Sequence, residues 1–160
     1  MSSVSPPEIE RQVIQDGVVR LSSDGCTFHI RRLRPGVVFM QVSGDDKGQF
    51  GTAAQDEVAQ EFRRVAQPVT LFIDTTGALG PVTKVMESWA EWFECNRKRL
   101  QHVAILIPRE AKVLQLTVAI AKHLSGTGDM IAIHLDRANF DAAVQQAAPD
   151  FVAEQLRRTR

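Results

Sequence analysis

Three short, almost uniformly apolar runs, Val69–Ile73, Val103–Ile107 and Met130–Leu135, are spaced along the second half of the chain, each followed by a stretch of helical periodicity. Runs this short and this apolar read as strands covered on both faces, the condition of a parallel sheet flanked by helices. Parallel neighbours cannot be joined by tight hairpins and need crossovers. Strand alternating with helix therefore restricts the chain to a mostly parallel α/β sheet.

The intervening segments carry helix signals. Thr52-Ala-Ala-Gln55 has capping-box spacing before a helix predicted to run to about Ala66, with Ala54, Val58, Phe62 and Val65 on its apolar face and Pro68 as its stop. Gly80-Pro81 opens a second helix, proline taking the first position, where its missing N–H costs nothing. Val82, Val85, Met86, Trp89, Trp92, Phe93 and Leu100 form its stripe. A third helix is predicted over 109–124, ended by Gly126 and Gly128. A fourth, Phe140–Ala147, is capped by Asp136 or Asn139 and followed beyond Pro149 by a further helical turn or two over 150–158.

The first part of the chain reads differently. Residues 26–33 alternate, with Cys26, Phe28 and Ile30 on one face and Thr27, His29 and Arg31 on the other. A second strand, Val37–Val42, follows the Pro35-Gly36 turn, which makes a β-hairpin. Val18–Leu21 reads as an edge strand closed by the turn Ser22–Gly25. Residues 8–16 are a helical or extended lead-in, and 1–8 a polar, proline-bearing tail. The fold expected is α/β: a mixed, mostly parallel sheet with an N-terminal hairpin and about four helices. Residues 1–16 form a flexible tail or lead-in and 17–160 one domain.

Composition removes several function classes. Nineteen Lys plus Arg balance nineteen Asp plus Glu, and a formal charge of zero argues against broad binding to nucleic acid or anionic membrane. Eight Phe, two Trp and no Tyr give little basis for a base-stacking platform. Arg31, Arg32 and Arg34, and Arg97, Lys98 and Arg99, read as solvated surface. No apolar run is long enough to span a bilayer and no signal-peptide core is present, so a cytoplasmic protein is expected. Cys26 and Cys95 lie far apart and read as reduced, partly buried thiols. His29, His102, His123 and His134 never stand at metal-ligand spacing, and neither a metal nor a cofactor is expected. The chain has neither a phosphate-loop nor a nucleophile-elbow motif, and an enzyme is not expected.

The stretch 69–93 carries the main candidates. A buried strand ends in Asp74, a glycine-bearing loop follows, and a helix begins; in open α/β sheets, sites gather at such strand ends. Asp74, Thr75, Thr76, Thr83 and Lys84 are candidates for a partner-binding loop; alternatively, Asp74 and the hydroxyls satisfy the loop's own N–H groups. Met86, Trp89, Trp92 and Phe93 share a stripe that can serve as core, as a homodimer face or as the wall of an apolar pocket.

The element order, with Gly36-Val-Val-Phe-Met-Gln-Val-Ser-Gly44, Phe72-Ile73-Asp74-Thr75-Thr76-Gly77, the Trp89–Phe93 helix, His102-Val-Ala-Ile-Leu-Ile-Pro108 and Asn139-Phe-Asp-Ala-Ala-Val144, resembles the STAS domain. This is the domain of anti-sigma-factor antagonists and of sulphate-transporter tails. The likeness is greater to the SpoIIAA-like, SEC14-related branch of bacterial proteins, and it covers 26–147. It implies a non-catalytic regulatory module whose partner is another protein, or alternatively a carrier or sensor of a small apolar or lipid-like ligand. Phospho-regulated members carry Asp-Ser-Ser-Gly at the start of the following helix. Laying Asp74–Gly77 on the family's strand end puts Val82, Thr83, Lys84 and Val85 on that motif. Acid, acceptor and glycine are replaced, and only Thr83 keeps a hydroxyl, one position early, as a weak phosphoacceptor candidate.

Overall fold

The computed structural model describes residues 8–80, 83–111 and 128–151. Seven strands form one sheet: β1 (Glu10–Gln15), β2 (Val18–Ser23), β3 (Cys26–Arg34), β4 (Val37–Gly44), β5 (Val69–Ala78), β6 (Leu100–Leu106) and β7 (Ile131–His134). They lie side by side in chain order. β1 to β4 are an antiparallel meander, and β4 to β7 are parallel. Among the described residues three helices accompany them: α1 (Ala53–Arg64), α2 (Thr83–Cys95) and α3 (Arg137–Ala147). The sheet is mixed, with its hairpins at the N-terminal end, as the residue pattern required.

The turns follow from the sequence. Asp24 and Gly25 both take positive φ, 42° and 82°, the twist-matched geometry of a two-residue hairpin loop and one that Asp-Gly favours. β1 brings a first difference from expectation. The lead-in is a strand paired to β2, so Val18–Ser23 is internal and β1 is the sheet's edge.

The two kinds of strand pattern report how many faces are covered. On one face α1 and α2 pack over Leu21, Phe28, Ile30, Val38, Met40, Leu71, Val103 and Ile105. On the other, α3 lays Phe140, Val144 and Ala148 on Val37, Phe72, Ala104 and Leu106. The completely buried Phe140 ring meets Phe72 edge-on at 5.9 Å and Phe39 at 6.0 Å. Burying one such side chain is worth roughly 1.5–3 kcal/mol. Within β5, Val69, Leu71 and Ile73 face α1 and α2 while Phe72 faces α3, which explains why the run had to be apolar throughout. β3 has its principal cover on one face and alternates, Cys26, Phe28 and Ile30 being buried.

Other expectations are corrected. Thr52 is the N-cap of α1, but its side chain makes no capping bond; its hydroxyl donates to Asp56 at 3.1 Å. Gln55 is buried and donates across to Ser88 Oγ of α2 at 3.2 Å. The capping box gives way to an interhelical bond because Gln55 lies on the side of α1 that meets α2. Glu61, one turn beyond Val58 on the apolar face, is also buried, its carboxylate held by Arg32 Nε at 2.7 Å. α2 stops at Cys95, where Asn96 Nδ2 donates to Trp92 O at 2.8 Å and Arg99 N to Asn96 O at 2.8 Å, and Leu100 opens β6 instead of closing the helical stripe. α3 starts three residues before Phe140, capped by Asp136, whose side chain accepts from Ala138 N at 2.8 Å. Cys26 is buried but Cys95 is exposed, and both are free thiols. The helix expected over 109–124 and the turns over 150–158 lie largely outside the described residues.

Candidate functional site

The carboxyl ends of β4 to β7 open at one end of the sheet, and Asp74 sits at its centre. β5 does not end at Ile73 as expected but runs on to Ala78, so Asp74, Thr75, Thr76 and Gly77 belong to the strand. The β4 ladder keeps Gln41 opposite Asp74 and resumes with Ser43 opposite Gly77. Val42 therefore faces two residues, Thr75 and Thr76, and this bulge turns Thr76 back over Asp74.

Asp74 is 1% exposed and both of its oxygens are engaged. Oδ1 accepts from Thr76 N at 2.9 Å and from Thr76 Oγ1 at 2.6 Å. Oδ2 accepts from Arg137 Nη2 at 3.0 Å, and the same nitrogen lies 3.0 Å from Thr76 Oγ1. Thr75 turns the other way and donates to Leu106 O of β6 at 2.7 Å, extending the link to β6 just past the last ladder pair. A buried carboxylate with an ion pair and two further hydrogen bonds is a structural anchor. Three of its roughly four lone-pair positions are thereby filled.

Arg137 was not among the residues singled out in the sequence. It is the first residue of α3, an unfavourable place for a cation because the helix N-terminus is itself partially positive. That anomaly was the available signal. The guanidinium stands there because Asp74 holds it, with Asp141 one turn on at 3.8 Å as a second partner.

Two glycines allow close approach here, Gly44 to the β2–β3 turn and Gly77 to β4. Gly44 has φ +94°, and a Cβ on it would lie 2.0 Å from Gly25 O. A Cβ on Gly77 would sit 3.0 Å from Ser43 Oγ. Beyond them Leu79 N donates to Gly44 O at 2.9 Å, fixing the backbone of a leucine that is 77% exposed. Thr83 and Lys84, in the first turn of α2, are exposed on the same rim. The structure thus separates the five loop candidates: Asp74 is buried and bonded to the exposed Thr76, Thr75 turns away to β6, and Thr83 and Lys84 are exposed in the first turn of α2.

Met86, Trp89, Trp92 and Phe93 do come together, beside α1. Trp92 stacks on Phe62 at 5.7 Å and meets Trp89 at 5.6 Å and Phe93 at 5.8 Å, and Arg99 caps Phe62 at 6.0 Å. Phe93 is buried, and Met86, Trp89 and Trp92 are partly buried on the same core. Burial lowers the pKa of His29, helped by Arg20 and Arg31, and that of His102, helped by His134. Among the described residues no group of three His, Cys, Asp or Glu side chains could hold a metal ion. No described helix is long and apolar enough to cross a membrane.

This arrangement, with consecutive strands, a parallel half and helices on both faces, is the STAS-like, SpoIIAA-like fold. The structure is similar to the crystal structure of an anti-sigma factor antagonist from Mycobacterium paratuberculosis, with a TM-score of 0.50 over 75% of this chain and 94% of that one, at 16% identity. Likeness at this identity concerns the fold. No family model matches the sequence, and neither does any curated protein.

Proposed function

We propose that the protein is a non-catalytic regulatory module that binds another protein, in the bacterial cytoplasm, through the rim at the carboxyl ends of its parallel strands. The observation that carries this reading is Leu79: a large apolar side chain, 77% exposed, on backbone pinned to Gly44. Exposed apolar groups on rigid supports suit recognition because little entropy is lost when they are buried. Asp74 and Arg137, the ionisable groups at the centre of the site, are held in an ion pair, which favours a binding surface over a reactive centre. The name of the similar structure, an anti-sigma factor antagonist, supports a protein partner for this fold. Thr83 and Lys84, standing where phospho-regulated relatives carry their serines, favour recognition without a phosphate switch at that position.

The test is capture of partners from the native lysate with wild type, Leu79→Asp, Lys84→Glu and the Thr75/Thr76/Thr83 triple alanine variant. Loss of the same captured protein in Leu79→Asp and Lys84→Glu, with melting temperatures unchanged, supports the assignment. An identical capture profile for all four proteins rejects it.

A further inference from the structure

The sheet's N-terminal edge has an open face that the rim does not explain. Every residue of β1 is exposed. Of the five large apolar side chains exposed among the described residues, three fall on or beside this strand: Ile9 at 39%, Val13 at 58% and Ile14 at 45%. Natural edge strands are usually protected by charged side chains, above all lysine, by proline, by a bulge or by a covering segment; β1 has Glu10, Arg11 and a bulge only at its far end. Residues 9–13 contain no proline or lysine, and the one cation, Arg11, is tied to Glu57 of α1.

The direction of β1's backbone groups follows from the turns. The two-residue Asp24–Gly25 loop makes Ser23 and Cys26 a hydrogen-bonded pair, so Leu21–Phe28 and Val19–Ile30 are hydrogen-bonded pairs as well. The backbones of Ser22, Arg20 and Val18 then point the other way, to Glu10, Gln12 and Gln15. The N–H and C=O groups of Arg11 and Val13 are left facing outward, where no described strand lies.

We propose that β1 pairs antiparallel with β1 of a second copy, joining two sheets about a two-fold axis at Arg11. The bulge at Ile14 ends the regular ladder at Val13, so Arg11 is the midpoint of the usable stretch 9–13. In that register Ile9 of each copy lies opposite Val13 of the other, and Glu10 opposite Gln12. These are one apolar pair and one amide–carboxylate pair, each made twice. The two Arg11 side chains meet at the axis, each neutralised by its own Glu57. A formal charge of zero leaves no long-range repulsion between copies. The self-complementary register favours a closed two-fold dimer over an unrelated partner. This edge is remote from the β4–β7 strand ends, and the inference stands or falls separately from the proposed partner surface.

The test is sedimentation equilibrium of the full chain across concentration. The wild type should show twice the monomer mass, dissociating on dilution. Val13→Pro removes an outward N–H without taking a bond from the β1–β2 ladder, and should be a monomer with an unchanged circular dichroism spectrum. If Val13→Pro fails to fold, Val13→Lys should give the same loss of dimer. In a Cys95→Ser background, mild oxidation should cross-link Arg11→Cys but not Gln12→Cys or Val13→Cys, because only the residue on a two-fold axis opposes itself. A wild type that stays monomeric, or a folded Val13→Pro or Val13→Lys that stays dimeric, overturns the proposal. A cross-link at Gln12 or Val13 instead overturns the register.

Discussion

Arg137 Nη2 lies 3.0 Å from Asp74 Oδ2, joining residues 63 positions apart and fastening the first turn of α3 to the middle of β5. Asp74 is the buried member, and removal of Arg137 strands its charge. Arg137→Ala should therefore lower the unfolding free energy by about 1–3 kcal/mol, discounted from a fully buried pair because Arg137 is half exposed and the Thr76 bonds persist. Urea unfolding measures it. Asp74→Asn in the Arg137→Ala background should recover part of the loss, and a double variant no better than Arg137→Ala would show that the pair is not coupled.

A second ion pair offers a sharper contrast. Arg32 Nε is 2.7 Å from the Glu61 carboxylate, which is almost wholly inaccessible and also within 3.4 Å of Gly36 N. Arg32→Ala alone leaves that charge without its partner and should cost about 3 kcal/mol. Arg32→Met with Glu61→Leu should be close to neutral, since two desolvation costs vanish along with the attraction. Chemical denaturation of the single and double variants decides; equal losses in both would mean the pair itself is strongly stabilising.

Asp46 gives a pH-dependent prediction. It is buried in the β4–α1 loop, its Oδ1 accepting from Gly48 N at 3.0 Å, and burial raises its pKa, with Asp45 adding to the effect. A raised folded-state value means that its favourable contribution is complete below the ordinary carboxylate range and lost as pH rises through the folded value. Asp46→Asn keeps the acceptor and removes the desolvated charge. The variant should melt higher than wild type at pH 7, with the gain shrinking to nothing in acid. A gain that is constant with pH would remove desolvation as its cause.

Gly44 admits no side chain. Gly44→Ala combines positive φ with a Cβ 2.0 Å from Gly25 O, a backbone atom held in the hairpin turn. The substitution should cost roughly 3 kcal/mol or more, or prevent folding. Gly25→Ala, which meets only the conformational cost because nothing lies within 4 Å of the new Cβ, should be milder. Thermal melts of the two variants give the comparison.

How much of this was legible follows from how local each cause is. The apolar run from Val69 records the two covered faces of β5, and the alternation from Cys26 to Ile30 records the single principal cover of β3, so sheet class and element order were readable from side-chain periodicity. The end of β5 was not. Glycine and threonine after Asp74 suggest a loop, but a bulge at Thr75 and Thr76 lets the ladder with β4 resume at Gly77, and that depends on a strand some 30 residues away in sequence. Gln55 obeyed the wrong rule for the same reason, since Ser88 reaches it only once α1 and α2 are packed. At the site, the acid and the threonines were visible at a strand end, whereas their cation was hidden by distance along the chain and marked only by standing at the wrong end of a helix dipole.

Strand order identical to chain order has a kinetic consequence. Each new strand is laid against the one made just before it, so no strand must wait for a later segment to be inserted beside it. The antiparallel half closes its loops through short turns, whereas each parallel addition from β5 onward must first close a longer crossover, the slower kind of step. During synthesis the meander β1–β4 emerges complete before β5 exists, and it can template every addition that follows. The segments thus become available outward from the N-terminal edge, and the Asp74–Arg137 clasp across the β5–β7 end can form only after all seven strands have been made.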